Sequence, residues 1–179
     1  MNKFVFLALA FLSPLLHGEE LIIGDDSYVI SKSVSSEFTE LTIEFINQYK
    51  GSLDGKYPDR DFVVLLIDVN QNSKIDKDLD AYYATSENGL CSGYLIDKKF
   101  YTTCGAYKSD FDISRKLLAT KLQTRPHPVF KFTIPNKELF GERENAALVF
   151  KIHSSVSGYT YYPDDAEDES LNTTVLIER

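Results

Sequence analysis

The chain has 179 residues, of which 26% are charged, 43% hydrophobic and 13% aromatic, the composition of a globular chain and not of a disordered one. Its 19 Lys and Arg stand against 27 Asp and Glu, a formal charge of −8. That balance argues against sequence-blind binding of nucleic acid or anionic lipid, which needs a basic face.

Chain order begins with an address. Lys3 precedes an apolar run from Phe4 to Leu12, and Ser13-Pro14-Leu15-Leu16-His17-Gly18 follows. One positive charge, a short apolar run and a small residue make a secretory signal peptide, with cleavage expected after Gly18. A membrane anchor needs roughly 20 apolar residues, and Pro14 and His17 end this run too early. No second stretch of spanning length follows. The expectation is a signal peptide over 1–18 and one mature domain over 19–179. That domain has no membrane span and is periplasmic or secreted.

The mature part reads with a period of two. Leu41, Ile43 and Phe45 alternate with Thr42 and Glu44. Phe130, Phe132 and Ile134 alternate with Lys131 and Thr133, and Leu148, Phe150 and Ile152 with Val149, Lys151 and His153. Each predicts a strand with one face on a core. The run Phe62–Ile67 is apolar throughout, as a central strand buried on both faces would be. Further strands are predicted at 27–34, 81–86, 91–96, 99–107, 159–162 and 173–178. Turn signals fall at Gly51–Asp59, Asn88-Gly89, Arg125–Pro128 and Gly141–Asn145. Segment 112–122 reads equally as helix or strand, and a short helix is expected at 136–140, after Pro135. About eight to ten short strands without intervening helices give an all-β class. The expected architecture is a jelly-roll-like two-sheet β-sandwich with at most one or two short helices.

The two cysteines carry a register argument. In a hairpin turning at Asp97-Lys98, residue 96 faces 99, 95 faces 100, and so on until Cys91 faces Cys104. With a two-residue turn this is a non-hydrogen-bonded pair, whose Cα atoms lie about 4.5 Å apart, within disulfide reach. A four-residue loop also leaves them opposite but reverses the parity. In an oxidising compartment a structural Cys91–Cys104 disulfide is expected.

The segment Asp68-Val69-Asn70-Gln71-Asn72-Ser73-Lys74-Ile75-Asp76 places oxygen side chains at positions 1, 3, 5 and 9 of a loop. Ca²⁺ takes six to eight oxygens at about 2.3–2.6 Å, and a wound loop turns alternate side chains inward while a backbone carbonyl fills position 7. The expected ligands are Asp68, Asn70, Asn72, the carbonyl of Lys74, and Asp76. Asp78 or Asp80 would complete the shell. The loop is similar to an EF-hand loop over its first nine positions. It departs at position 6, where Ser73 replaces Gly, and at position 12, where Leu79 replaces Glu. The expected cofactor is therefore weakly bound structural Ca²⁺. A solvated polar turn would use the same residue types.

Other constellations say less. The acidic run 164–169 reads as solvated charge, and Asn172-Thr173-Thr174 is a glycosylation sequon only in a host that glycosylates. His127 lies in the expected turn and His153 on the polar phase of its strand. There is no G-x-S-x-G, H-E-x-x-H or Gly-rich phosphate loop, so no catalytic residues are assigned. Tyr159, Tyr161 and Tyr162, with Tyr82 and Tyr83, either stack on ligands or rim a core.

Taken together, Asp80-Ala81-Tyr82-Tyr83, the F-x-I-P-x-x-x-L stretch from Phe132 to Leu139, and Tyr161-Tyr162-Pro163 carry a resemblance. The mature chain resembles the DOMON-like and family-9 carbohydrate-binding-module-like β-sandwiches of secreted proteins. The resemblance implies a jelly-roll-like sandwich, in some members with structural calcium. Haem-binding members use axial Met or His, and the mature chain has no Met; sugar-binding members commonly use Trp, which is absent. The leading expectation is an exported, calcium-stabilised binding or accessory module whose partner is a glycan or an envelope protein. The alternatives are a structural or protein-interaction subunit of a surface or secreted assembly and, last, a small secreted hydrolase.

Overall fold

The computed structural model describes residues 19–24, 27–49, 61–74, 81–86, 89–96, 99–104, 112–163 and 174–179. The expected signal peptide lies outside them. Twelve strands and one short helix are found among these residues. The strands are β1 (Glu19–Gly24), β2 (Tyr28–Val34), β3 (Phe38–Phe45), β4 (Phe62–Asp68), β5 (Ala81–Ser86) and β6 (Gly89–Ile96), then β7 (Lys99–Cys104), β8 (Asp112–Leu118), β9 (His127–Pro135), β10 (Asn145–Ser154), β11 (Gly158–Tyr162) and β12 (Val175–Glu178). The helix is α1 (Asn136–Phe140).

They form two antiparallel sheets, which makes the protein an all-β sandwich. One has the order β1-β2-β3-β9-β8. The other runs β11-β10-β4-β5-β6-β7, with β12 also paired to β10. β10 is long enough to serve two neighbours on one edge. Its first half, Asn145–Leu148, pairs with β12, and its second half, Phe150–Ser154, with β11.

Alternation builds the core. Leu41, Ile43 and Phe45 of β3 and Phe130, Phe132 and Ile134 of β9 point into the space between the sheets. There they meet Val63, Leu65 and Ile67 of β4 and Leu148, Phe150 and Ile152 of β10. Phe45 and Phe130 are tilted at 5.2 Å between ring centroids. The opposite phase of the larger sheet is also buried: Val64, Leu66 and Val149 are 6%, 2% and 0% exposed, although they lie outside the intersheet cluster. The uninterrupted apolar run of β4 thus has the expected cause, a strand covered on both faces.

One open choice is resolved and two expectations change. Segment 112–118, which reads equally as helix or strand, is strand: Ile113 pairs with Phe132 and Leu117 with Pro128, so β9 satisfies its backbone. His127 and Pro128 are not turn residues; they open β9, and His127 is 0% exposed. A strand at 19–24 was not foreseen. Its Ile22 and Ile23 pack on the core, and its edge is tied by Lys32, whose Nζ donates to the carbonyl of Glu178 (2.8 Å) and pairs with Glu20 (3.1 Å). Lys32 sits on the inward phase of β2, opposite Leu41, so this buried ammonium links β1, β2 and β12.

The short helix falls where expected. Pro135 fixes the entry, and Asn136 carries the anchoring. Its Oδ1 accepts from Thr39 (2.8 Å), its Nδ2 donates to the Ser35 carbonyl (2.8 Å), and its N–H donates to the Glu37 carbonyl (2.8 Å).

Candidate functional site

Two side-chain clusters lie at opposite ends of β4. At the end where β4 begins and β10 finishes, cross-strand register lines up three rings: Phe62, His153 and Tyr159 are successive partners across β4, β10 and β11. Phe62 and His153 stack at 4.8 Å with 16° between planes. Tyr159 meets His153 edge-on at 4.6 Å and Phe62 at 5.9 Å. The next row holds Lys151 and Tyr161, and the Lys151 ammonium lies 4.8 Å from the Tyr159 centroid and 5.9 Å from that of Tyr161. These residues occupy the phase of the sheet turned away from the intersheet core. His153 is 2% exposed, Phe62 is half-buried and Tyr159 is 43% exposed, so a largely covered aromatic base supports one open ring. Burial pushes the His153 ring below its ordinary pKa of 6.5; Asp61 opposes this and Lys151 adds to it.

The tyrosines of the C-terminal cluster divide by parity. Tyr159 and Tyr161 face outward, whereas Tyr162 takes the other phase, packs against the core and lies 6.4 Å from Phe150. Phe62 and His153 were missed as a site in the sequence. Their partnership depends on register between strands far apart in the chain, and no local signal carries it. For Tyr82 and Tyr83 the backbone alone is described: Tyr82 is the partner of Leu66, and Tyr83 of Leu65.

At the opposite end, Asp68 closes β4 and is 2% exposed. Its Oδ1 accepts from the Asn72 N–H (3.3 Å) and its Oδ2 from the Ser73 N–H (2.8 Å). Asn70 Oδ1 also accepts from Asn72 N–H (3.1 Å), and Asn72 Oδ1 accepts from Lys74 N–H (2.8 Å). Four of the expected ligand positions are therefore wound into one loop, each side-chain oxygen turned onto the loop backbone. Gln71 and Ser73 have φ of 58° and 61°. Ser73 thus adopts the left-handed backbone that a Gly would supply at position 6 without strain. Gln71 Nε2 donates to Asn145 Oδ1 (2.7 Å) and Arg143 to the Val69 carbonyl (2.6 Å), pinning the loop to the start of β10. A carboxylate and two amide oxygens are hard-oxygen donors of the class hard cations take, and here Asp68, Asn70 and Asn72 turn theirs onto loop N–H groups. Asp76, Asp78 and Asp80 lie outside the described residues. Among the described residues, no three His, Cys, Asp or Glu side chains gather as a metal cluster.

The hairpin β6–β7 has Ile96 facing Lys99, Leu95 facing Phe100 and Cys91 facing Cys104. One register row crosses the whole larger sheet: Tyr161, Lys151, Val64, Ala84, Cys91, Cys104. The turn at 97–98, the acidic run 164–169, and Asn172 and Thr173 of the sequon lie outside the described residues. No helix among the described residues is long and apolar enough to cross a membrane.

No family model matches the chain, and no curated protein matches it. Among solved structures it is similar to a carbohydrate-binding module of family 9 from Caldicellulosiruptor kristjanssonii, solved in complex with cellotriose. The TM-score is 0.52 and the identity 11%, over 88% of this chain and 77% of that one. At that identity the likeness is one of fold: the chain is a two-sheet β-sandwich with the architecture of that module.

Proposed function

We propose that this protein is an exported glycan-binding accessory module whose ligand stacks on the Tyr159 platform. The carrying observation is an aromatic ring 43% exposed on a base of Phe62 and His153, with Lys151 beside it. A sugar ring presents C–H bonds on its face and hydroxyls on its rim. A rigid aromatic face gathers the first, and neighbouring polar groups bind the second. The fold likeness to a module that holds cellotriose supports cellotriose as the first probe. The apolar N-terminal run supports export.

Calcium in the Asp68 loop and a Cys91–Cys104 disulfide belong to the same reading, both as stiffeners. Bound Ca²⁺ would be held by Asp68, Asn70, Asn72 and the Lys74 carbonyl and would supply a fixed charge that locks the loop. The observed Cys91–Cys104 register supports the bridge.

The test is titration calorimetry of the protein with cellotriose and with other soluble oligosaccharides, repeated on Tyr159→Ala. Saturable binding that falls about two- to tenfold in Tyr159→Ala is expected, since stacking on one aromatic is worth about 0.5–1.5 kcal/mol. Equal affinity in the variant, or no oligosaccharide binding at all, overturns the reading. A protein-interaction role is favoured by Leu117 and Leu118, 48% and 37% exposed on β8, an outermost strand of its sheet. Self-association in sedimentation velocity that Leu117→Ser abolishes and Tyr159→Ala leaves intact would support that second reading.

A further inference from the structure

Asp61 stands at the head of β4, one residue before Phe62, and is 0% exposed. A buried carboxylate is costly unless its oxygens are used. Oδ1 is used fully: it accepts from Gln48 Nε2 (2.8 Å), from the Ser155 N–H (2.7 Å) and from Ser155 Oγ (2.8 Å). Oδ2 is buried with no hydrogen-bond partner among the described residues.

The three bonds converge on the turn between β10 and β11. Ser154 Oγ accepts from the Val156 N–H (3.0 Å) and the Ser157 N–H (3.1 Å), and it donates to Gln48 Oε1. Gly158 then takes φ of 83°, and Tyr159 follows. The whole turn 155–157 is thus held from beneath by Asp61, Ser154 and Gln48. Val156 at its tip is 72% exposed, so no packing of its own fixes it.

We propose that Asp61 is the positioning residue of the Tyr159 platform, its carboxylate fixing the 155–157 turn and so the presentation of the tyrosine ring to the ligand. The proposal rests on the reading of that platform as a glycan site. Its geometry has two separable parts. The bonds to Oδ1 set the turn. The charge acts on His153, two residues before Ser155, where it opposes the lowering caused by burial. Asn at position 61 retains an Oδ1 acceptor and replaces the unpartnered Oδ2 by an amide, so it removes the charge and keeps the turn. Ala removes both.

The experiment compares the full protein with Asp61→Asn, Asp61→Ala and Ser155→Ala. Three quantities are read: amide exchange at 155–158, affinity for cellotriose, and the NMR titration of His153. In Asp61→Ala, exchange at 155–158 should rise at least about tenfold and affinity fall about tenfold, as loss of one anchoring hydrogen-bonded group predicts. Asp61→Asn should keep both near wild type while the His153 midpoint moves lower. Ser155→Ala should give a smaller rise in exchange and decides the matter if Asp61→Ala does not fold. Unchanged exchange in Asp61→Ala, or in Ser155→Ala should the former not fold, overturns the proposal. So does an unmoved His153 midpoint in Asp61→Asn. If wild type binds no saccharide, the glycan reading fails, and exchange and titration still decide the role of Asp61 in the turn.

Discussion

Glu44 and His127 form a buried pair on the outer phase of the five-stranded sheet, with Nε2 2.8 Å from Oε2 and side-chain exposures of 11% and 0%. Nδ1 lies 2.9 Å from the Arg125 carbonyl, so both ring nitrogens face oxygen. That arrangement needs a proton between Nε2 and Oε2. Thr120 Oγ1 accepts from the N–H groups of Leu122 and Gln123 and donates to the same Oε2 (2.7 Å). Gln123 adds bonds to the Phe45 carbonyl (2.9 Å) and from the Asn47 N–H (2.7 Å). The connection between β8 and β9 is thereby clamped to the end of β3.

Removing either partner of this pair leaves the other buried without its bond. Glu44→Ala and His127→Ala should each cost about 2–4 kcal/mol in urea unfolding. The double variant should cost less than the sum by about 1–3 kcal/mol. Additive effects would show that the two side chains do not act together.

His153 makes stability fall with acid. Its folded-state pKa is lowered from 6.5, by burial first, with Asp61 opposing and Lys151 contributing. A base held neutral in the fold takes up its proton more readily when unfolded. Its contribution is therefore present above the ordinary pKa and is lost as pH falls from there through the lowered value. An NMR titration should place the His153 midpoint below that of a histidine in the unfolded chain. A midpoint at or above it contradicts the burial argument.

Calcium is tested on the Asp68 loop. Millimolar Ca²⁺ should raise the unfolding midpoint and a chelator reverse it, with a gain of about 1.4 kcal/mol at tenfold excess over Kd. Asp68→Ala should abolish that response. It should also destabilise the metal-free protein by about 1–2 kcal/mol, because Asn72 and Ser73 lose their N–H acceptor. A midpoint indifferent to both calcium and chelator means that the loop is a polar turn.

Thiol titration of the unfolded, unreduced protein should find no free thiol. Reduction, or Cys91→Ser with Cys104→Ser, should then cost about 3 kcal/mol, the chain-entropy value for a short loop. Two free thiols would leave Cys91 and Cys104 as cross-strand neighbours without a bond.

The alternation of apolar residues determined much of this protein by itself. Leu41, Ile43, Phe45, Phe130, Phe132 and Ile134 read as inward-facing in the sequence and are so in the fold, because strand geometry sends neighbours to opposite faces whatever lies across from them. The continuous run of β4 and the Pro-led helix at 136–140 were legible for the same local reason. The spacing of Asp68, Asn70 and Asn72 was legible too, since a turn of Asx residues folds on its own backbone.

What tertiary structure decided is everything that depends on a partner strand. Segment 112–118 had no preference strong enough to choose; β9 chose for it. His127, flanked by prolines, looked like a turn residue until Glu44, far away in sequence, gave its ring a bond and a place in β9. Phe62, His153 and Tyr159 become one surface only through two registers, and Asp61 reaches the turn before Tyr159 across a separation of 94 residues. Local chemistry sets which way a residue can face, whereas the identity of its neighbour is fixed only when the sheets assemble.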